Sequence, residues 1–172
     1  MAEANFDVCI APIFQQEGGY VDDPADAGGS INLGISVAAL SNWRGAAATR
    51  EDVRDLTRDE AIAIYRANYW NTTRCDDLPP GVDLMVFDGA VNLGTSRSAR
   101  LLQATLGVVQ DGSVGPATIR AAKESDPVVT IERLAALRLE YYRSLSSFDS
   151  FGRGWTSRVS QIKNQALQMA KT

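Results

Sequence analysis

The chain has 172 residues, of which 45% are hydrophobic and 22% are charged, and it carries a formal net charge of -4. This acidic balance argues against a nucleic-acid partner, because no basic excess exists to neutralise phosphates. The sequence contains no histidine, which excludes Ser-His-Asp and Cys-His catalysis and every His-ligated zinc site. No metal ion and no cofactor are expected.

Two separated cysteines and an acidic N-terminal segment limit the disulfides and the membrane segments that are expected. Cys9 and Cys75 lie far apart and form no ligand-like pair, so we interpret them as buried free thiols, with a disulfide as the alternative. The N-terminal segment is acidic and its apolar stretch is broken by Pro12, which is not typical of a signal peptide. Because no run approaches the ~18 apolar residues of a membrane span, we expect synthesis in the cytoplasm without stable membrane insertion.

The first predicted helix carries one apolar face that ends in a carboxylate, with the spacing four, three and four at Phe6, Ile10, Ile13 and Glu17. Gly18 and Gly19 are expected to end this helix, and Pro12 predicts either a kink or a later start. The Gly-, Pro- and Asp-rich segment 20–35 predicts a loop with a small hairpin or an irregular β element. Short helices are then expected after Ser36 and Thr49.

Capping residues predict the later helix starts. Thr57 opens a capping box with Glu60, whose side chain is expected to reach back to the cap. Asp83 and Asp126 are expected to cap two further helices. Further helix ends are predicted near Trp70 and at Gly94. Three more helices are predicted over 96–106, 116–123 and 155–169, and the last of these follows the glycines of 152–154. The pattern predicts a mainly α fold, in which a helical bundle lobe accompanies a small irregular β-hairpin lobe near the N-terminus.

Glu17 is the first candidate for catalysis. The rest of its helical face is apolar, so its carboxyl is expected in a poorly solvated environment, which disfavours the charged form. A general acid that works near neutral pH needs such an environment. The following glycines allow a backbone or a substrate to come close, whereas a glutamate that simply leaves the core at a helix end is the alternative.

The loop after Glu17 supplies a second candidate carboxylate, Asp26, nine positions along the chain. An inverting glycosidase needs a base roughly 6.5–9.5 Å from the acid, with room for a water molecule. An Asx turn is the alternative for Asp26, and it is favoured for Asp22 and Asp23 because they flank Pro24. The spacing of these carboxylates does not match an EF-hand calcium loop.

Later polar and aromatic residues are weaker candidates. Asp88 and Asn92 are four residues apart and share a helical face, so they either line a cleft or are satisfied within the fold. Aromatic rings could offer stacking surfaces for sugar rings, although core packing is favoured for any one of them, at Tyr20, Tyr69, Trp70 and Trp155.

The segment Glu17–Gly29, together with Leu33–Ser36, resembles the N-terminal motif of glycoside hydrolase family 108. This family comprises N-acetylmuramidases of the lysozyme-like superfamily, which occur as phage endolysins and as bacterial muramidases tied to secretion. The resemblance extends over most of the chain, at Ile64–Arg66, Tyr69–Trp70, Phe87–Gly94, Leu102–Gln103, Asp111–Thr118, Gly154–Trp155 and Arg158.

The resemblance implies a single lysozyme-like domain over residues 1–172, with a catalytic part at 1–80 and a helical peptidoglycan-binding-like part at 81–172. It places the catalytic glutamate on Glu17 and the loop aspartate on Asp26. The reaction is expected to be hydrolysis of the β-1,4 bond between N-acetylmuramic acid and N-acetylglucosamine. Substrate contacts are expected from Tyr20, Ser30, Asn32, Tyr69, Trp70, Asp88 and Asn92.

One departure from the family pattern is Ile31, where the family usually has threonine. In phage-type lysozymes a threonine in this neighbourhood helps to hold the nucleophilic water, and an isoleucine side chain cannot hydrogen-bond it. Either Ser30 or Asn32 substitutes, or activity is weakened, or the protein is a degenerate peptidoglycan-binding or scaffold module. A lytic transglycosylase, which needs only the acidic glutamate, is a further alternative. Retained hydrolysis is favoured, because both carboxylates remain.

The expected partner is the glycan strand of peptidoglycan. The protein is then expected to act in the periplasm on the cell wall, as a monomer. Because no signal peptide is predicted, export is expected to depend on a holin or a secretion system.

Overall fold

The computed structural model describes residues 2–25 and 29–172, which are mainly helical with a small antiparallel sheet near the N-terminus. This confirms the predicted fold class. In chain order the elements are α1 (Ala2–Glu17), β1 (Val21–Asp22), β2 (Ser30–Asn32), β3 (Ile35–Ser36), α2 (Val37–Arg44), α3 (Arg50–Arg54), α4 (Arg58–Tyr65), a π-helical turn (Arg66–Trp70), a 3-10 turn (Cys75–Asp77), α5 (Val82–Leu93), α6 (Thr95–Leu106), α7 (Pro116–Glu124), α8 (Pro127–Arg143) and α9 (Phe148–Ala170).

The chain divides into two compact units. The N-terminal unit is Ile10–Asn68, and the C-terminal unit combines Met1–Cys9 with Tyr69–Thr172. This division describes packing alone, so the functional division between residues 80 and 81 stays a prediction. None of the described helices is long and apolar enough to cross a membrane.

The N-terminal unit is built around a three-stranded antiparallel sheet in the order β1-β2-β3. Val21 of β1 lies opposite Ile31 of β2, which in turn lies opposite Ser36 of β3. Leu33 and Gly34 join β2 to β3 with φ angles of 50° and 78°, as a tight hairpin with two positive φ values requires. The core of this unit is apolar and includes Ile13, Ile35, Leu40, Val53 and Ile64.

The predicted helix caps are formed by local contacts. Ser36 accepts a hydrogen bond from the Ala39 N–H at 3.2 Å. Thr49 and Asp52 form a reciprocal capping box, and the other predicted caps accept as expected, at Thr57 for α4 and at Asp126 for α8. The caps could be predicted from the sequence because a capping hydrogen bond joins residues that are only two or three positions apart.

One half of a predicted capping box is wrong. The carboxylate of Glu60 does not reach back to Thr57 but binds the guanidinium of Arg44, at 2.9 and 2.8 Å. A bidentate pair with arginine is stronger than one hydrogen bond to a backbone N–H, which explains the difference.

The C-terminal unit packs around α5, in which every residue from Val82 to Ala90 is buried. The ring of Trp70 meets Phe6 at a centroid distance of 5.3 Å and Phe87 at 5.2 Å, both edge to face. Helices α6, α8 and α9 pack against α5, and α8 packs along α9. The edge-to-face contacts of Trp70 with Phe6 and Phe87 contribute to stability beyond the apolar area that they bury.

Two predicted helix starts need correction. Helix α5 begins at Val82, and Asp83 lies in its first turn, where its Oδ1 accepts from the N–H groups of Gly81 and Leu84 at 2.8 and 2.7 Å. Helix α9 begins at Phe148 rather than near residue 155, so the glycines that predicted a break lie inside it. The Phe148 ring covers the face of Gly152, where a Cβ would come within 2.5 Å.

Candidate active site

Glu17 is the last residue of α1, as the sequence predicts, and its side chain is half-buried. Pro12 is accommodated inside this helix without ending it. The chain turns away at Gly18, whose φ of 75° suits glycine and whose N–H donates to the Phe14 carbonyl at 3.1 Å. The carboxyl of Glu17 therefore stands at a helix end, partly open to solvent.

The hairpin turn between β2 and β3 lies directly against Glu17. A Cβ added to Gly34 would come within 3.0 Å of Glu17 Oε2 and 3.1 Å of Glu17 Cβ. The same Cβ would collide with the hydroxyl of Tyr65, which donates to the Leu33 carbonyl at 2.7 Å. Only glycine fits at position 34, because its α-carbon faces both oxygens.

Three predicted substrate contacts lie on or beside the sheet. Ser30 is fully buried, and its hydroxyl donates to the Tyr20 hydroxyl at 3.1 Å, while Tyr20 remains 41% exposed. The amide of Asn32 donates to the carbonyls of Val53 and Arg54, both at 3.1 Å. Tyr20 thus has surface to offer to a ligand, whereas Ser30 supports it from beneath.

The orientation of the β2 side chains is relevant to whether Ser30 or Asn32 could take the place of a threonine at position 31. Successive side chains of a strand point to opposite faces, so Ser30 and Asn32 share one face and Ile31 takes the other. Ile31 is 40% exposed, and its neighbour Val21 is 62% exposed. This alternation argues against Ser30 or Asn32 as a substitute for a hydroxyl at position 31.

Asp26 lies outside the described residues. The described part of its loop contains the Asx turn predicted for the neighbouring aspartates, because Asp23 Oδ1 accepts from the Ala25 N–H at 2.9 Å. Asp22 is engaged in an ion pair with Arg50 at 2.5 Å. The carboxylates of Asp22 and Asp23 therefore already have partners within the fold.

Comparison with known proteins identifies the family. Residues 10–94 match the family model described as glycosyl hydrolase 108. Among solved structures, the chain is similar to one described as the structure of Brucella abortus SagA, with 40% identity and a TM-score of 0.90, over 99% of this chain and 98% of that chain. The chain belongs to glycosyl hydrolase family 108.

Two further comparisons complete this finding. Residues 97–160 match a model described as a predicted peptidoglycan domain. The comparison with curated proteins found no match. Family 108 membership confirms the predicted lysozyme-like fold, and together with the peptidoglycan model it supports a glycoside hydrolase that acts on peptidoglycan.

In this family 108 chain Trp70 is a core residue and not a surface for sugar stacking. Trp70 is fully buried, and its Nε1 donates to Asp76 at 2.7 Å, so its ring cannot stack on a sugar. Tyr69 is half-buried and stays a candidate. Trp155 stacks on the ring of Tyr142, with a centroid distance of 4.9 Å.

Asp88 is not available to line a cleft. Its carboxylate is fully buried and forms ion pairs with Arg138 at 2.7 Å and Arg158 at 2.8 Å. Asn92 accepts a hydrogen bond from the Tyr142 hydroxyl. Asp88 and Asn92 therefore contact residues of α8 and α9, and the predicted substrate contact at the fully buried Asp88 is wrong.

The buried thiols and acids of the C-terminal unit do not form a metal site. Cys9 and Cys75 are free and buried, which confirms the free-thiol interpretation, and burial raises the pKa of both thiols. Within residues 2–25 and 29–172, no group of three or more Cys, Asp or Glu side chains could hold a metal ion.

Sequence reasoning missed Tyr65 and Gly34 as parts of this site. Tyr65 follows the apolar pattern of α4 and therefore reads as core, and Gly34 reads as an ordinary turn residue. The available signal was Gly34 between two β-like segments, although leucine is an unusual residue for the first position of such a turn.

Proposed function

We propose that this protein is an N-acetylmuramidase that hydrolyses the β-1,4 bond between N-acetylmuramic acid and N-acetylglucosamine. The observation that carries the proposal is the half-buried Glu17 carboxyl at the end of α1, closely faced by the glycine turn of a family 108 sheet. In this reaction Glu17 donates a proton to the leaving oxygen, and Asp26 positions or activates the attacking water.

The substrate side of the proposal uses residues of the N-terminal unit, which carries Glu17, and keeps Tyr69 of the other unit as a separate candidate. Tyr20 is exposed and offers an aromatic face to a sugar ring, and Tyr69 and Asn32 are half-buried candidates for polar contacts. The protein acts in the periplasm on glycan strands as a monomer.

Ile31 favours a second candidate, a peptidoglycan-binding module without activity. An exposed isoleucine opposite Val21 gives an apolar patch where a water-holding hydroxyl is expected. Such a module binds sacculi without releasing reducing ends. A lytic transglycosylase is the third candidate, because it needs the acid but no water.

Digestion of purified Gram-negative sacculi separates these candidates, with products read by mass spectrometry for wild type and Glu17→Gln. The proposal expects reducing muramic-acid ends from wild type alone, with both proteins folded by circular dichroism. Anhydro ends instead indicate a transglycosylase. If both proteins bind sacculi and neither releases a product, the inactive module is indicated. If Glu17→Gln retains more than about a tenth of the wild-type activity, Glu17 is not the general acid.

A further inference from the structure

Tyr65 is a buried hydroxyl beside the proposed general acid. Its side chain is 1% exposed, and its hydroxyl donates to the Leu33 carbonyl at 2.7 Å. A buried hydroxyl is costly unless it is hydrogen-bonded, so this contact fixes the hydroxyl and the turn to each other.

The ring of Tyr65 also contacts the helix that carries Glu17. It packs edge to face against Phe14, with a centroid distance of 5.5 Å and an interplanar angle of 88°. Phe14 precedes Glu17 by three residues, on the neighbouring turn of α1. One side chain thus contacts both the helix end and the hairpin turn that faces the carboxyl.

Gly34 is the point where these contacts meet. Its α-carbon faces the Tyr65 hydroxyl and Glu17 Oε2, and no side chain lies between them, since a Cβ there would be 3.0 Å from Oε2 and closer still to the hydroxyl. The φ of 78° at Gly34 holds the turn in a conformation that other residues rarely adopt. The contact between the Tyr65 hydroxyl and the Leu33–Gly34 turn therefore determines how this turn lies against Glu17.

We infer that Tyr65 is a positioning residue for catalysis, which holds the Leu33–Gly34 turn and the end of α1 so that the Glu17 carboxyl is aligned for proton transfer. This inference rests on the proposed general-acid role of Glu17. Proton transfer demands hydrogen-bond geometry, and a displacement of ~1 Å can reduce a rate about 100-fold. The inference therefore predicts a loss in kcat rather than in substrate affinity.

The test compares Tyr65→Phe with wild type, using Tyr141→Phe as the matched control. Tyr141 is half-buried in α8 and is remote in sequence from the turn. The guanidinium carbon of Arg97 lies over its ring, 4.6 Å from the ring centroid. The substrate is a set of purified, soluble peptidoglycan glycan fragments, which allow kcat and KM to be measured separately from the release of reducing ends. Thermal unfolding of each variant reports whether the fold persists.

For Tyr65→Phe we expect kcat to fall by about 10- to 100-fold with KM within about twofold of wild type, whereas Tyr141→Phe keeps both values. An unchanged kcat, or a raised KM with unchanged kcat, overturns the inference. Gly34→Ala is the second variant, and it carries the test if Tyr65→Phe does not fold. Its added methyl separates the turn from Glu17, so a kcat equal to wild type overturns the inference as well.

The outcomes distinguish this inference from the proposed function. An inactive wild type, or a Glu17→Gln variant as active as wild type, overturns the general-acid role and the inference with it. An active wild type with an inactive Glu17→Gln and a fully active Tyr65→Phe overturns the inference alone.

Discussion

The carboxylate of Asp88 lies 2.7 Å from Nη2 of Arg138, although the two residues are only 0% and 1% exposed. Asp88 Oδ2 and Arg138 Nη2 are close without hydrogen-bond geometry, whereas the guanidinium of Arg158 donates to Asp88 Oδ1 at 3.0 and 2.8 Å. One buried carboxylate is therefore shared by two guanidinium groups. Removal of this carboxylate leaves both guanidinium groups without their counter-charge, which is costly for buried charges.

The first prediction concerns Asp88→Asn, which keeps the side-chain shape and removes the negative charge. We expect the free energy of unfolding to fall by about 3–5 kcal/mol, because both guanidinium groups stay buried without a counter-charge. Urea unfolding at constant pH measures this change. Asp149→Asn is the control, since Asp149 is exposed in the first turn of α9, and it is expected to change stability by no more than about 0.5 kcal/mol. Equal stability of the two variants would contradict the electrostatic account.

The second prediction concerns the pH dependence of stability through Asp83. Burial raises the pKa of this carboxyl to about 6 from an ordinary value of 3.8, against hydrogen bonds from Leu84, Gly81 and Asn5 that lower it. Because the pKa is higher in the folded state, the contribution to stability is fully present below about pH 3.8 and is lost as the pH rises to about 6.

Urea unfolding of wild type and Asp83→Asn between pH 3.5 and 7, at ~0.5-unit steps, isolates this contribution, because the other groups titrate alike in both proteins. We expect the wild type to lose about 3 kcal/mol relative to Asp83→Asn across this window. Parallel stability curves would show that the Asp83 carboxyl does not titrate in this range.

Local features of the fold could be predicted from the sequence. The caps at Ser36, Thr49 and Asp126 involve contacts within three residues, and the apolar spacing of α1 correctly placed Glu17 at the helix end. A small hairpin within residues 20–35 was also predicted, although its turn was not assigned to Leu33 and Gly34. Such features depend on neighbours in the sequence, so a pattern is sufficient to find them.

Long-range features could not be predicted in the same way. Asp88 reads as a cleft residue until Arg138 and Arg158 are placed beside it, at separations of 50 and 70 residues in the sequence. The sequence leaves Trp70 open as a sugar-stacking ring or a core residue until Phe6 and Phe87 are placed around it. Burial of a polar or aromatic residue depends on which elements pack against it, and periodicity does not give this information.

The third prediction concerns the departure from the family pattern at Ile31. Its side chain is 40% exposed and lies on the face of β2 opposite to Ser30 and Asn32, so we expect neither neighbour to supply the hydroxyl that a threonine would place there. In Ile31→Thr a hydroxyl is restored, and one hydrogen bond of about 1 kcal/mol to the attacking water corresponds to about a fivefold faster release of reducing ends. Ile31→Val is the matched control, because it keeps the branched shape without the hydroxyl and is expected to match wild type. If the threonine variant is no faster than the valine variant, the attacking water is held elsewhere in this chain.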